Sequence, residues 1–251
     1  MFDVKPLALV DLDDNLFQTA RKMSETPTHI ASRTESGAPS GYMTVIQKQF
    51  ITWLMNNADV IPVTARSIEA FSRVEIPFSG AAVCSHGGVI LSADRQPDAQ
   101  WQAQMKEVLA PYQDRFQILS EQAIEIGREM GHSLRGWVVE ELSTSFYVVT
   151  KHNNATDQAL VDLLWEIKKR GLISDLDVHI NGNNLAFLPK ELNKRFAVQE
   201  IIKRDKEMNG ARPILGFGDS LSDLGFMSEC LFWGTPSNSQ ITRAIMEKVH
   251  G

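Results

Sequence analysis

Cysteine is scarce: Cys84 and Cys230 are the 2 in 251 residues, and both sit among apolar neighbours. That excludes a disulfide framework and fits a reducing compartment. Basic tracts are absent, and 25 Lys and Arg against 31 Asp and Glu leave a net charge of −6. Nucleic-acid binders carry a basic stripe or patch, so no nucleic-acid partner is expected. No uncharged apolar run is long enough to cross a bilayer, and the first residues carry no secretory-leader pattern. We therefore expect no membrane partner and a cytoplasmic location. Internal repeats and low-complexity tracts are also missing. What remains is an ordinary globular composition, 43% hydrophobic and 22% charged, in a chain long enough for one large domain or two modest ones.

The most informative stretch is Leu7-Ala8-Leu9-Val10 followed by Asp11-Leu12-Asp13-Asp14-Asn15. A short apolar strand delivers three carboxylates and an amide to its carboxyl end, where ligands bind in open α/β sheets. Carboxylates gathered there repel one another unless a hard divalent cation neutralises them, and Mg²⁺ takes oxygen ligands. Residues 18–42 are polar and rich in Ser, Thr, Pro and Gly, and read as an irregular excursion. Val45, Ile46, Phe50, Trp53 and Leu54 have helical spacing within 43–57. A buried strand follows at 60–64, then a short helix to about Arg73, and a third strand at 81–85 broken by Ser85-His86-Gly87-Gly88.

The middle of the chain reads differently. Residues 98–130 are helical, with Trp101, Met105, Val108 and Leu109 on one stripe. Strands at 137–140 and 145–149, an amphipathic helix at 156–170 and two strands within 177–189 follow. Asn181-Gly182-Asn183-Asn184 marks the turn between the last two. Strand–helix alternation then returns: a helix at 194–206, a strand at 214–219, a helix at 220–230, a strand at 231–234 and a helix at 238–249. The expected fold class is α/β: a Rossmann-like parallel-sheet core, with an α+β cap domain inserted. The core takes residues 1–85 and 190–251, and the cap 86–189. Right-handed crossovers put the strand ends bearing Asp11, Thr64 and Asp219 on one edge of the sheet.

Those strand ends offer complementary chemistry. Asp11 can attack phosphorus while Asp13 handles a proton. Thr64 supplies a hydroxyl for a phosphate oxygen. Asp219 and Asp223, four apart across a strand-to-helix turn, complete a Mg²⁺ site with Asp11. Lys194 can neutralise both Asp11 and a phosphoryl group. Asp11-x-Asp13-x-Asn15 also begins like a calcium loop, but Leu16 stands where that loop needs Gly and Lys22 where it needs Glu.

In order and spacing these motifs resemble the haloacid dehalogenase superfamily of Mg²⁺-dependent phosphohydrolases. The four motifs are Asp11-Leu12-Asp13-Asp14-Asn15, Thr64, Lys194 and Gly218-Asp219-Ser220-Leu221-Ser222-Asp223. The inserted segment is similar to the α/β cap of the sugar-phosphate phosphatase branch. Thr64-Ala65-Arg66 resembles that branch's Thr-Gly-Arg, and Ser85-His86-Gly87 its Ser-Asn-Gly.

The resemblance implies Asp11 as nucleophile and Asp13 as general acid and base. It implies Thr64 and Lys194 as phosphoryl-orienting groups, and Mg²⁺ held by Asp11, Asp13 through its carbonyl, Asp219 and Asp223. Arg66, His86 and Asn183 are the substrate-binding candidates, and a cap reads the leaving group. The partner is a small phosphorylated metabolite, a sugar phosphate in the first instance, and the protein a monomer. Asp14, Asn15, Arg195 and Ser222 depart from the family pattern. These departures motivate the alternative, a catalytically weak regulatory or binding protein of the same fold. A phosphoacceptor receiver domain would lack the roughly hundred residues between Ser85 and Pro189. Taken singly, Trp137 and Tyr147 read as core, and the scattered histidines as ordinary ones.

Overall fold

The computed structural model describes residues 4–154, 157–180 and 182–250. Asn181, part of the expected turn, lies outside them. The chain divides into two compact units, residues 1–99 with 193–251 and residues 100–192. Residues 86–98 belong to the first unit because their strand pairs with the one before it and Asp98 is held by Arg204 at 2.6 Å.

The first unit opens with β1, Leu7–Val10, every residue buried. Residues 18–42 are not wholly irregular. After a single turn of 3-10 helix, β2, His29–Arg33, pairs antiparallel with β3, Pro39–Met43. The hairpin escapes its composition because only Ala31, Ser32, Gly41 and Met43 are buried in it. Helix α1, Val45–Asn57, starts at Thr44, whose side chain accepts from Gln47 N while Gln47 caps the Thr44 amide. This reciprocal cap satisfies two orphan donors. Its buried residues are Ile51 and Leu54, whereas Ile46 and Trp53 are exposed. Of the apolar residues at helical spacing, Leu54 is buried and Phe50 meets the Phe217 ring edge-on at 5.4 Å, so only part of that set packs.

Strand β4, Asp59–Pro62, and the short helix α2, Ile68–Ser72, follow. Strands β5, Ala82–Cys84, and β6, Val89–Leu91, form their own antiparallel pair. A parallel bridge from Val63 to Val83 ties β5 to the end of β4.

The second unit begins within α3, Ala99–Leu109, and continues with α4, Gln113–Glu129. The expected single helical stretch is broken by a 3-10 turn at Ala110–Tyr112, where Pro111 sits at its start. Strands β7, Leu134–Glu141, and β8, Thr144–His152, form a hairpin whose two-residue turn puts Leu142 and Ser143 at positive φ. Neither residue carries the usual Asn-Gly signal of that turn. Helix α5, Asp157–Lys169, and strands β9, Leu176–Ile180, and β10, Leu185–Pro189, complete an antiparallel sheet ordered β7-β8-β10-β9. Helices α4 and α5 pack on this sheet through Phe116, Leu119, Leu160, Leu163, Val148 and Phe187.

The chain returns to the first unit with α6, Lys194–Asn209, β11, Ile214–Phe217, the short α7, Leu224–Met227, β12, Phe232–Gly234, and α8, Gln240–His250. The core sheet is parallel and ordered β12-β11-β1-β4, so β1 lies between β11 and β4. The residues that follow these three strands therefore meet at one sheet edge. Among the described residues no helix is long and apolar enough to cross a membrane.

Leu163 is fully buried in the core of the second unit. Leu163→Ala should cost about 2–5 kcal/mol of stability, read as a lower urea midpoint. A cost under about 1 kcal/mol would contradict this packing.

Candidate active site

Hydrogen bonds carry the sheet one residue past its strands. Asp11 N donates to Phe217 O at 2.8 Å, and Val63 N to Val10 O at 2.8 Å. The chain then turns sharply after β1: Leu16 N and Phe17 N both return to Leu12 O, and Asp14 N to Phe17 O. Asn15 Nδ2 clamps Asp11 O at 2.8 Å. Asp14 adopts φ 61°, the left-handed conformation that a short polar side chain tolerates. That accounts for an Asp at this turn position. Its charge is taken up by Lys22 at 2.5 Å.

At the centre is Lys194, the first residue of α6, with only 8% of its surface exposed. Its Nζ lies 2.5 Å from Asp11 Oδ1 and 2.7 Å from Asp223 Oδ1. Burial alone would lower its pKa, but the two carboxylates hold it above the ordinary lysine range. Asp223 is fixed on its other oxygen by Ser220 Oγ at 2.7 Å and Ser220 N at 3.0 Å. Burial would raise it, yet Lys194 and the Ser220 donors keep it below the usual carboxylate range.

Asp11, Asp219 and Asp223 are all buried and can each present an oxygen within 4.8 Å of the others. Burial pushes the Asp11 carboxyl up against the pull of Lys194, and Asp223 and Asp13 add to the push. Burial, then the charges of Asp223 and Asp14, raise Asp219 to about 7. The Asp219 carboxylate has no hydrogen-bond partner among the described residues. Three buried carboxylates thus share one ammonium, an excess of two negative charges when all are ionised. A buried charge without a counter-ion is costly. An all-oxygen donor set with two surplus charges fits a hard divalent cation such as Mg²⁺.

Two tight approaches make this possible. A Cβ on Gly218 would stand 2.7 Å from Asp223 Cβ and 2.8 Å from Met227 Sδ. A Cβ on Gly87 would stand 2.4 Å from Asn193 O, and Gly87 has φ 98°. Ser85 and His86 also have positive φ, so three successive residues take a strained path against the start of α6. Such strain concentrates at functional sites.

The other expected residues fall as follows. Thr64 is fully buried beyond β4, its Oγ1 accepting from Arg66 N at 3.1 Å. Arg66 is not a free phosphate hook: Nε and Nη2 each lie 2.8 Å from the oxygens of Asp13, and its guanidinium rests over the Phe17 ring. His86 sits in the strained turn, half-buried. Asn183 belongs to the second unit and gives both halves of its amide to the backbone of His152, at 2.7 and 2.8 Å. Ser220, Gly87 and Lys22 are contributors that spacing did not single out. Ser220 had a local signal, as a hydroxyl residue three before an Asp at a helix start.

No family model matches the chain, and no curated protein matches it in sequence. Solved structures do resemble it. The C-terminal domain of trehalose-6-phosphate phosphatase from C. albicans aligns at TM-score 0.58 and 13% identity, over 89% of this chain and 73% of that one. The sucrose-phosphatase of Synechocystis aligns at 0.51 and 14% identity, over 98% and 97%. A haloacid dehalogenase-like hydrolase from Bacteroides thetaiotaomicron aligns at 0.51 and 10% identity, over 98% and 100%.

The raised Asp219 pKa makes a pH prediction. Folded chains keep a proton on Asp219 between about pH 4 and 7 that unfolded chains release, so stability falls as pH rises through that window. In metal-free buffer, Asp219→Asn should match wild type near pH 4 and exceed it by about 2–4 kcal/mol at pH 7.5. Urea unfolding curves that stay parallel across the window would contradict it.

Proposed function

We propose that this chain, which has the fold of the haloacid dehalogenase-like phosphatases, is a Mg²⁺-dependent phosphomonoester hydrolase acting through an aspartyl-phosphate. The observation that carries the reading is the Lys194-centred cluster, where three buried carboxylates converge on one ammonium, an excess of two charges when all are ionised. Asp11, Asp219 and Asp223 are the side chains that would hold the ion, with the Asp13 carbonyl. The ion would supply charge neutralisation for the phosphoryl oxygens.

Asp11 is the nucleophile. Its Oδ1 is fixed by Lys194, and no hydrogen bond among the described residues occupies Oδ2. An oxygen of Asp11 bonds to phosphorus as the bond from phosphorus to the leaving oxygen breaks, and Asp13 passes a proton to that oxygen. Asp13 then takes a proton from water, whose oxygen displaces Asp11 and releases inorganic phosphate. Thr64 and Lys194 orient the phosphoryl group, an arrangement of positioning and charge that this transfer requires. A small phosphorylated metabolite is the substrate, with sugar phosphates favoured by the names of two structural neighbours. A cytoplasmic location and a monomeric state remain part of this reading.

The Arg66–Asp13 pair favours a second reading. Both oxygens of the proposed acid are engaged by a guanidinium, so proton transfer requires that pair to open. A protein in which it stays closed would bind a phosphorylated metabolite with little turnover.

Hydrolysis of a panel of sugar phosphates, nucleotides and p-nitrophenyl phosphate separates the two. Turnover should require Mg²⁺, vanish with EDTA, and fall by about three orders of magnitude or more in Asp11→Asn with the fold retained. Activity surviving in that variant would overturn the mechanism. Stabilisation by a panel member with no turnover would select the binding reading.

A further inference from the structure

The second unit carries an unresolved electrostatic conflict of its own. In the β7–β8 ladder Arg135 pairs directly with Lys151. Like charges directly opposite one another destabilise a sheet. Both side chains point away from α4. The next residue, Gly136, faces that helix, since a Cβ there would stand 3.3 Å from Ile124 Cδ1 and 3.3 Å from Ser120 Oγ. Trp137, two residues along from Arg135, shares its face, and Lys151 Nζ lies over the Trp137 ring at 5.7 Å.

Neither cation has an acidic partner among the described residues. Arg135 Nη1 donates only to neutral oxygens, Asn153 Oδ1 at 2.9 Å and His152 O at 3.4 Å. Among the described residues Lys151 has no hydrogen bond or ion pair, and it is half-buried against the indole. Burial, then the charge of Arg135, lowers its pKa. Elsewhere in this unit, on its helical side, arginines meet acids, as Arg115 does Asp175 and Arg170 does Glu129 and Glu166. The chain thus leaves two cations opposed beside a 42%-exposed Trp, with a counter-charge missing.

We propose that Arg135 and Lys151 form a binding site for the anionic group, carboxylate or phosphate, of a small organic molecule, with Trp137 as the floor beneath it. A planar guanidinium and a movable ammonium suit either group. An exposed indole face suits the adjoining carbon skeleton. The site lies wholly within the second unit, and its occupancy does not depend on hydrolysis at Asp11.

Lysine acylation read by mass spectrometry tests this on the full chain. Sulfo-N-hydroxysuccinimide acetate is applied at pH 8 with inorganic phosphate, glycerate, glycerol or sodium chloride, the salts at matched ionic strength. Phosphate or glycerate at about 10 mM should slow acylation of Lys151 at least about fivefold relative to chloride and glycerol, leaving exposed Lys206 and Lys248 unchanged. Arg135→Gln, a change at an exposed position, should remove most of that protection. The stronger protector identifies the group as phosphate or carboxylate. Equal Lys151 rates in phosphate, glycerate and chloride would overturn the proposal, whatever the outcome of the hydrolysis panel.

Discussion

A single ammonium group lies within 2.7 Å of two carboxylates drawn from opposite ends of the chain. Lys194 and Asp11 are 183 residues apart in sequence. A buried lysine without its partners would be neutralised, and the carboxylates without the lysine would repel one another. The cluster therefore forms only if β1 and β11 are neighbours and α6 starts beside their ends. Several local oddities follow from that demand. Gly218 admits the Asp223 side chain, Gly87 admits the backbone of Asn193, and the Ser85–Gly87 turn takes a left-handed path to reach α6.

Charge accounting explains why the site has this composition. Asp13 is matched by Arg66 and Asp14 by Lys22. Of these five carboxylates, Asp11, Asp219 and Asp223 are the ones left with fewer cations than carboxylates. The surplus therefore falls on the three groups that a divalent ion would join. Arg66 is committed to both oxygens of Asp13, a contact that a phosphate-hook reading did not include.

The fold was legible where burial was continuous. Leu7–Val10 is apolar at every position because both faces of a central parallel strand are covered, and its strand type and position follow from that. That Asp11, Lys194, Asp219 and Asp223 come together was legible for a related reason, since polar residues directly after buried strands of one parallel sheet collect at one edge. The hairpin at 29–43 was not, because a two-stranded ribbon buries only a few small residues. The helical spacing within 43–57 gives the helix α1 but not which of its apolar residues pack, because Ile46 and Trp53 are exposed while Leu54 is buried. Asn183 was read as a substrate contact, but its amide is used to hold His152, an interaction between residues 31 apart that no local pattern reveals. Arg66's partner, 53 residues away, is equally invisible to spacing.

The most direct test of the account asks which atom takes the phosphoryl group. The Mg²⁺-loaded protein is mixed with its best phosphate ester, quenched in the steady state and reduced with borohydride, and its peptides are sequenced by mass spectrometry. An acyl-phosphate at Asp11 would be reduced there to homoserine, and that change is expected at Asp11 alone. Turnover with Asp11 unmodified, or with the label on another residue, would contradict it.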